Sequence, residues 1–178
     1  MVIIILILTL FSVCVSPLAA TPLSHLEAGD VDYDGKKITL VGAVHLTHQF
    51  GAIACDKAVI ILPEREGEAK MLLTPQKILL YGNVNVQLRD GSTISSEEAD
   101  INCPTLEGVF TANPPLKVVY STLMVDGKET IPVKASSRAM RVIMKKSEGP
   151  NSSYVVHDMQ AEGSVQIEYQ NALRPKEQ

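Results

Sequence analysis

Apolar and polar positions alternate along three stretches of the chain. Ile38, Leu40, Gly42, Val44 and Leu46 fall on one side of a two-residue period, with Lys37, Thr39, Ala43, His45 and Thr47 on the other. Ile78, Leu80, Gly82, Val84, Val86 and Leu88 do the same against Lys77, Asn83, Asn85, Gln87 and Arg89. A third run sets Met159, Ala161, Gly163, Val165, Ile167 and Tyr169 against Gln160, Glu162, Ser164, Gln166 and Glu168. This period predicts strands with one buried face. After residue 21 no segment holds a helical period over about eleven residues. The expected fold is therefore all-β, a sandwich, barrel or jelly roll of short strands and turns.

The three runs form an internal repeat with a glycine on the apolar side of each. Gly42 and Gly82 stand 40 residues apart, and Gly82 and Gly163 stand 81 apart, close to twice that spacing. LVGAVHLTHQFG and LYGNVNVQLRDG each reach a second glycine, Gly51 and Gly91, and CDKAVI at 55–60 is then similar to SEEADI at 96–101. Each unit reads as a hairpin. Asp-Gly at 34, 90 and 126 supplies three tight turns expected to be equivalent, because glycine and aspartate tolerate the positive φ that such turns need. A glycine inside a strand marks a bend, a bulge or a close approach. Repeated in register, it predicts a sheet creased along one line into an apolar trough. EREGEAK at 64–70 and SEGPNSS at 147–153 read as surface loops, and the chain after Asn171 as a loose end.

Composition narrows the reading further. The 178 residues, 46% hydrophobic, suffice for one ordinary core without disulfides or metal. A net charge of -4, 4% aromatic content and no Trp argue against a nucleic-acid binder, which needs a cationic surface and stacking rings. Residues 1–20, MVIIILILTLFSVCVSPLAA, read as a secretory signal cleaved after Ala20, leaving 21–178 as one domain outside the cytoplasm. The alternative is a retained membrane anchor. Its apolar run from Val2 to Val15 spans about 21 Å as a helix, short of a bilayer core of roughly 30 Å. Cys14 preceded by Val13 is a poor lipoprotein site. Removal of Cys14 leaves Cys55 and Cys103, which either pair in an oxidising compartment or stay as buried thiols.

Candidate chemistry is sparse. Asp30, Asp32 and Asp34 before Gly35 imitate the start of a calcium loop, yet Lys37 and Val41 fall where an apolar residue and a closing Glu belong, so a hairpin turn is expected. His45 and His48 on a strand point to opposite faces, and His25 and His157 lack ligand partners at suitable spacing. No nucleophile elbow, phosphate loop or dinucleotide fingerprint is present, so neither an enzyme nor a cofactor is expected. Glu97, Glu98 and Asp100 read as a solvated strand end. Lys134, Arg138, Arg141, Lys145 and Lys146 place five cations, with no acid among them, beside Met140, Val142 and Met144 on the core side. Two readings are open: an electropositive edge that meets phosphates at the mouth of the trough, or an edge strand guarded by cations against stray pairing.

The stretch YDGKKITLVGAVHLTHQFGAIACDKAVI, 33–60, resembles the first repeat of the OstA-like lipopolysaccharide-transport family, and ILLYGNVNVQLRDGSTISSEEADI resembles its second. LKVVYSTLMVDGKETIPVKASSRAMRVIM at 116–144 and MQAEGSVQIEYQ are similar to the family's later segments, so the likeness covers most of 31–170. The resemblance implies a creased, open antiparallel β-jelly roll that carries lipopolysaccharide acyl chains through the periplasm. It implies that Ile38, Leu40, Val44, Leu46, Val84, Val86, Val142, Val165 and Ile167 line the interior. It also implies pairing of strand edges with other jelly-roll components or with further copies, bridging inner and outer membrane. LptA-like bridge proteins fit the repeat pattern first. LptC-like relatives, which keep an N-terminal anchor, come second, and only eight residues follow Gln170 where the bridge pattern has a further strand. A structural envelope domain with a filled, dry core is the remaining alternative.

Overall fold

The computed structural model describes residues 25–48, 50–63, 75–126, 129–146 and 154–169. The signal-or-anchor segment, the loop at 64–70, the segment at 147–153 and the tail after Asn171 lie outside the described residues. All secondary structure in the described residues is β. In chain order the strands are β1 (His25–Glu27), β2 (Asp30–Tyr33), β3 (Lys37–His48), β4 (Gly51–Ile61), β5 (Lys77–Leu88) and β6 (Thr93–Asn102). There follow β7 (Glu107–Thr111), β8 (Val118–Asp126), β9 (Glu129–Ser137), β10 (Ala139–Lys146), β11 (Tyr154–Glu162) and β12 (Gln166–Tyr169). They form one antiparallel sheet of 12 strands that stays open rather than closing into a barrel.

Register resolves this sheet into two wings. One wing runs β2-β3-β4-β5-β6-β7-β10-β11, using the outer parts of the long strands, as in Leu40↔Ala58, Leu80↔Ala99 and Ile101↔Gly108. The other runs β1-β3-β4-β5-β6-β8-β9-β12 through Leu46↔Ile53, Val86↔Ile94 and Ile94↔Tyr120. Four strands cross from wing to wing unbroken. The rest of the chain crosses in pairs, β1 to β2, β7 to β8, β9 to β10 and β11 to β12, each interrupted at the same level.

That level is a crease, and the repeated glycines set it. Gly42 and Ala43 have φ of 80° and 47°, Gly82 and Asn83 have 71° and 48°, and Gly163 and Ser164 have 76° and 50°. Two consecutive left-handed residues take the chain out of its pleat, which L-residues resist and glycine tolerates at the first position. Opposite each pair in the long strands the register slips, between Val41 and Val44 in β3 and between Tyr81 and Val84 in β5. The glycines thus do not occupy inward pleat positions, as the bare alternation predicts; Gly42 and Gly163 are exposed at the bend. Because the pair adds two residues, the alternation resumes in phase beyond it. Leu40 and Val44 both face inward.

The inward faces of both wings merge in one hydrophobic cluster, with Leu40, Ile60, Ile78 and Leu80 from the first wing and Val86, Ile94 and Val118 from the second all at most 1% exposed. Acids hold the crease from the far side of the repeat. Asp56 lies over Gly82 and accepts a hydrogen bond from Asn83 Nδ2 at 2.9 Å, while Glu97 accepts one from the backbone N–H of Asn113. The similarity of CDKAVI to SEEADI therefore places equivalent acids at equivalent points of the bend.

The Asp-Gly turns at 34 and 90 share a dipeptide but not a geometry. Asp34 precedes a two-residue loop in which Gly35 has φ 91°, and its Oδ1 accepts the N–H groups of Lys36 and Lys37, each at 3.0 Å. Its carboxyl is held below the usual carboxylate range by those two backbone bonds. At Asp90-Gly91 the N–H of Gly91 bonds Leu88 O at 3.1 Å and the N–H of Leu88 bonds Ser92 O at 2.8 Å, a longer loop with glycine in the bulge position. β8 and β9 pair as far as Asp126 and Glu129, and the two residues between these, including Gly127, lie outside the described residues.

Candidate functional site

The inner apolar face is sealed in its middle and exposed at both edges. Leu40, Val44, Leu46, Val84, Val86 and Val142, six of the residues expected to line a trough, are at most 1% exposed and pack into the core, and Ile38 packs against them. Val165 and Ile167, in contrast, are 48% and 54% exposed at the C-terminal edge.

Strand pairing shows what else belongs to that exposed corner. Tyr120, buried and inward, pairs with Ala135, and Ala135 pairs with Ile167, which puts Ile167 on the inner face. The same logic brings Thr122, Val133 and Tyr169 to one row, and Met124 and Ile131 to the next, further from the crease. Exposure rises along these rows: Tyr120 is buried, Val133 half-buried, and Met124 and Tyr169 are exposed. At the boundary a small polar cluster closes the core, where Ser92 Oγ and Thr122 Oγ1 lie 3.1 Å apart and Tyr120 O–H donates to Ser92 Oγ at 3.4 Å. On the opposite wing Tyr154, Val156, Met159 and Ala161 of β11 remain partly buried against the core.

The N-terminal edge repeats the arrangement. Val31 pairs with Leu40 and Tyr33 with Ile38, so both face inward, yet they are 59% and 60% exposed because no strand follows β2 in the sheet among the described residues. Sequence reasoning missed Val31, Tyr33, Met124, Ile131 and Val133. The period-two signal in β8 is blurred because its outer positions Val119, Leu123 and Val125 are also apolar.

The five cations between Lys134 and Lys146 do not form an edge. β10 lies inside the sheet between β7 and β11, and β9 lies between β8 and β12, so both edge readings of this stretch are corrected by the topology. Arg141 Nε bonds Glu107 Oε1 at 2.6 Å, which holds the Glu107 carboxyl below its usual range and raises the guanidinium. Lys145 Nζ lies 2.6 Å from His157 Nε2, and Lys134 shares an outer-surface cleft with Glu168. Lys146 is exposed at the strand end. Arg138 alone stands at the crease.

Cys55, Cys103 and His48 are inward and quiet. Cys55 and Cys103 are buried free thiols, pushed up to about 11 and about 12 chiefly by burial. They cannot bridge: Cys55 lies at the crease, while Cys103 follows the far end of β6, roughly 20 Å away at strand rise. Among the acids expected to be a solvated strand end, Glu97 holds Asn113 and Asp100 pairs with Lys77 at 2.8 Å. His45 is exposed and His48 buried on opposite faces of β3, and no cluster of metal-ligating residues occurs among the described residues. His48 packs against Phe50 with ring centroids 4.3 Å apart, and its Nδ1 has no hydrogen-bond partner among the described residues. Burial lowers its pKa to about 4, so the ring is neutral near pH 7.

No protein-family model matches the chain, and no curated protein matches it significantly.

Proposed function

We propose that this protein is a periplasmic carrier that binds lipopolysaccharide by its acyl chains, in the manner of the LptA-like bridge members of the OstA-like family. The observation that carries the reading is the gradient along the inner face, sealed in the middle and open as an apolar surface at Ile167, Tyr169 and Met124, with Ile131 half-buried beside them. Each methylene buried there contributes about 0.8 kcal/mol, so a few acyl chains would be held strongly. The edge strands β1 and β2 at one end, and β11 and β12 at the other, offer backbone groups to neighbouring envelope components or to further copies. The role is one of binding rather than catalysis.

A photo-crosslinking amino acid at Ile167 should capture lipopolysaccharide in cells, while one at Val86, in the sealed middle, should capture none. Absence of capture at Ile167 in a folded protein would end the carrier reading. The second reading, a structural envelope domain, is favoured by the sealing of Leu40, Val44 and Val86, and it expects no lipid at either position. The choice between a released bridge and an LptC-like anchored component rests on residues 1–20, and the mass of the mature N-terminus decides it.

A further inference from the structure

A cleft of about 350 Å³ opens at the C-terminal end of the crease, between the β7–β8 connection and the turn into β12. Its apolar wall is Pro114, Pro115 and Leu116, the last 55% exposed. Its charged lining is Lys117 and Arg138, and Ser164 adds a hydroxyl. Both cations are positioned. Lys117 Nζ donates to Gln166 Oε1 at 2.6 Å, leaving further N–H donors free to point elsewhere. The Arg138 backbone N–H is shared between the carbonyls of Glu162 and Gly163, each at 3.0 Å. Its side chain lies across Gly163, where an added Cβ would fall 3.0 Å from Arg138 Cβ and 3.5 Å from Nε.

Arg138 has no carboxylate within ion-pairing distance among the described residues, whereas Arg141, three residues on, is neutralised by Glu107. It also inverts the charge found elsewhere along the bend. At the equivalent glycine, Gly82, the chain supplies an anion of its own, Asp56, bonded to Asn83. At Gly163 it supplies a cation, Arg138.

We propose that this crease cleft binds a phosphate group carried on an apolar body, the phosphate between Lys117 and Arg138 and the apolar part against Pro114, Pro115 and Leu116. A phosphate monoester carries nearly two negative charges and three acceptor oxygens, which suits a guanidinium, an ammonium and a hydroxyl. Such a group comes either from a lipid headgroup or from a small soluble phosphate. The proposal does not rest on the carrier reading, since capture at Ile167 can fail while this cleft still binds, and the reverse.

The test is a titration of the folded protein followed by amide NMR shifts, with inorganic phosphate, dihexanoyl phosphatidic acid and dihexanoyl phosphatidylcholine as probes. Phosphatidic acid should move the amides of Leu116, Lys117, Arg138 and Ser164 and should bind more tightly than the other two. Arg138→Gln and Lys117→Gln should each weaken it roughly fivefold or more, and Arg141→Gln should leave it unchanged. Equal affinity for inorganic phosphate would overturn the apolar half of the proposal and assign the site to soluble phosphate. Silent amides at the cleft, or an equal loss with Arg141→Gln, would overturn the whole of it.

Discussion

The middle of the inner face and its C-terminal corner are made of the same residue types on the same sheet, yet one is dry and the other wet. Val86 and Ile94 are covered because the facing wing reaches them; Ile167 and Tyr169 are not, because β12 is short, lies at the edge and pairs only with β9. Position in the sheet, and not hydrophobicity, decides which apolar residues are core and which are surface. An exposed apolar group contributes little to folding and is free to contribute to binding.

Four substitutions or conditions separate the two regions, beginning with the largest effect. Leu80→Ala in the sealed middle should cost about 2–5 kcal/mol in urea unfolding, because a fully buried leucine leaves a cavity. A loss below about 1 kcal/mol would mean that the middle is not tightly packed. The second concerns His48, buried at the rim of the same region. Its folded pKa lies below its unfolded value, so stability is fully present above about pH 6.5 and is lost as pH falls towards about 4. The linked loss approaches about 3 kcal/mol, and His48→Leu should remove this part of the acid sensitivity. Equal pH profiles for the variant and the parent would contradict the assignment.

The third compares two crease glycines. Gly82→Ala should cost more than Gly42→Ala, since both positions have positive φ but only Gly82 lies beneath a side chain, that of Asp56. Each should lose about 1 kcal/mol or more for the left-handed backbone, and thermal melts that rank them the other way would remove Asp56 from the account. The smallest effect belongs to the open corner. Ile167→Ser should change stability by no more than about 0.5 kcal/mol while reducing lipid capture by a crosslinker at Met124. Stability losses matching those of Leu80→Ala would make the corner part of the core.

Much of this architecture is legible in the sequence. The alternation in β3 and β5 identifies their buried faces residue by residue, and the spacing of Gly42, Gly82 and Gly163 locates the bend. What the alternation cannot express is a pair of left-handed residues, because adding two positions leaves its phase intact; Gly42 therefore reads as inward when it is exposed. Nor does a linear sequence show that 134–146 crosses the crease at Arg138 and runs through the sheet interior, since edge and interior strands differ only in their neighbours. Cys55 and Cys103 are equally opaque: their distance apart follows from where β4 and β6 stand relative to the bend. Val31 and Tyr33 alternate like any buried pair, and the absence of a further neighbour in the sheet among the described residues leaves them in water.

The shared level of the glycine pairs has a mechanical consequence. With every ladder interrupted or slipped along one row, the molecule is built like a book whose pages are stiff and whose spine is soft. Turning one page relative to the other would act on the torsions at Gly42, Gly82 and Gly163, but it would also part the apolar faces that Leu80 and Val86 share, so the buried middle keeps the book shut.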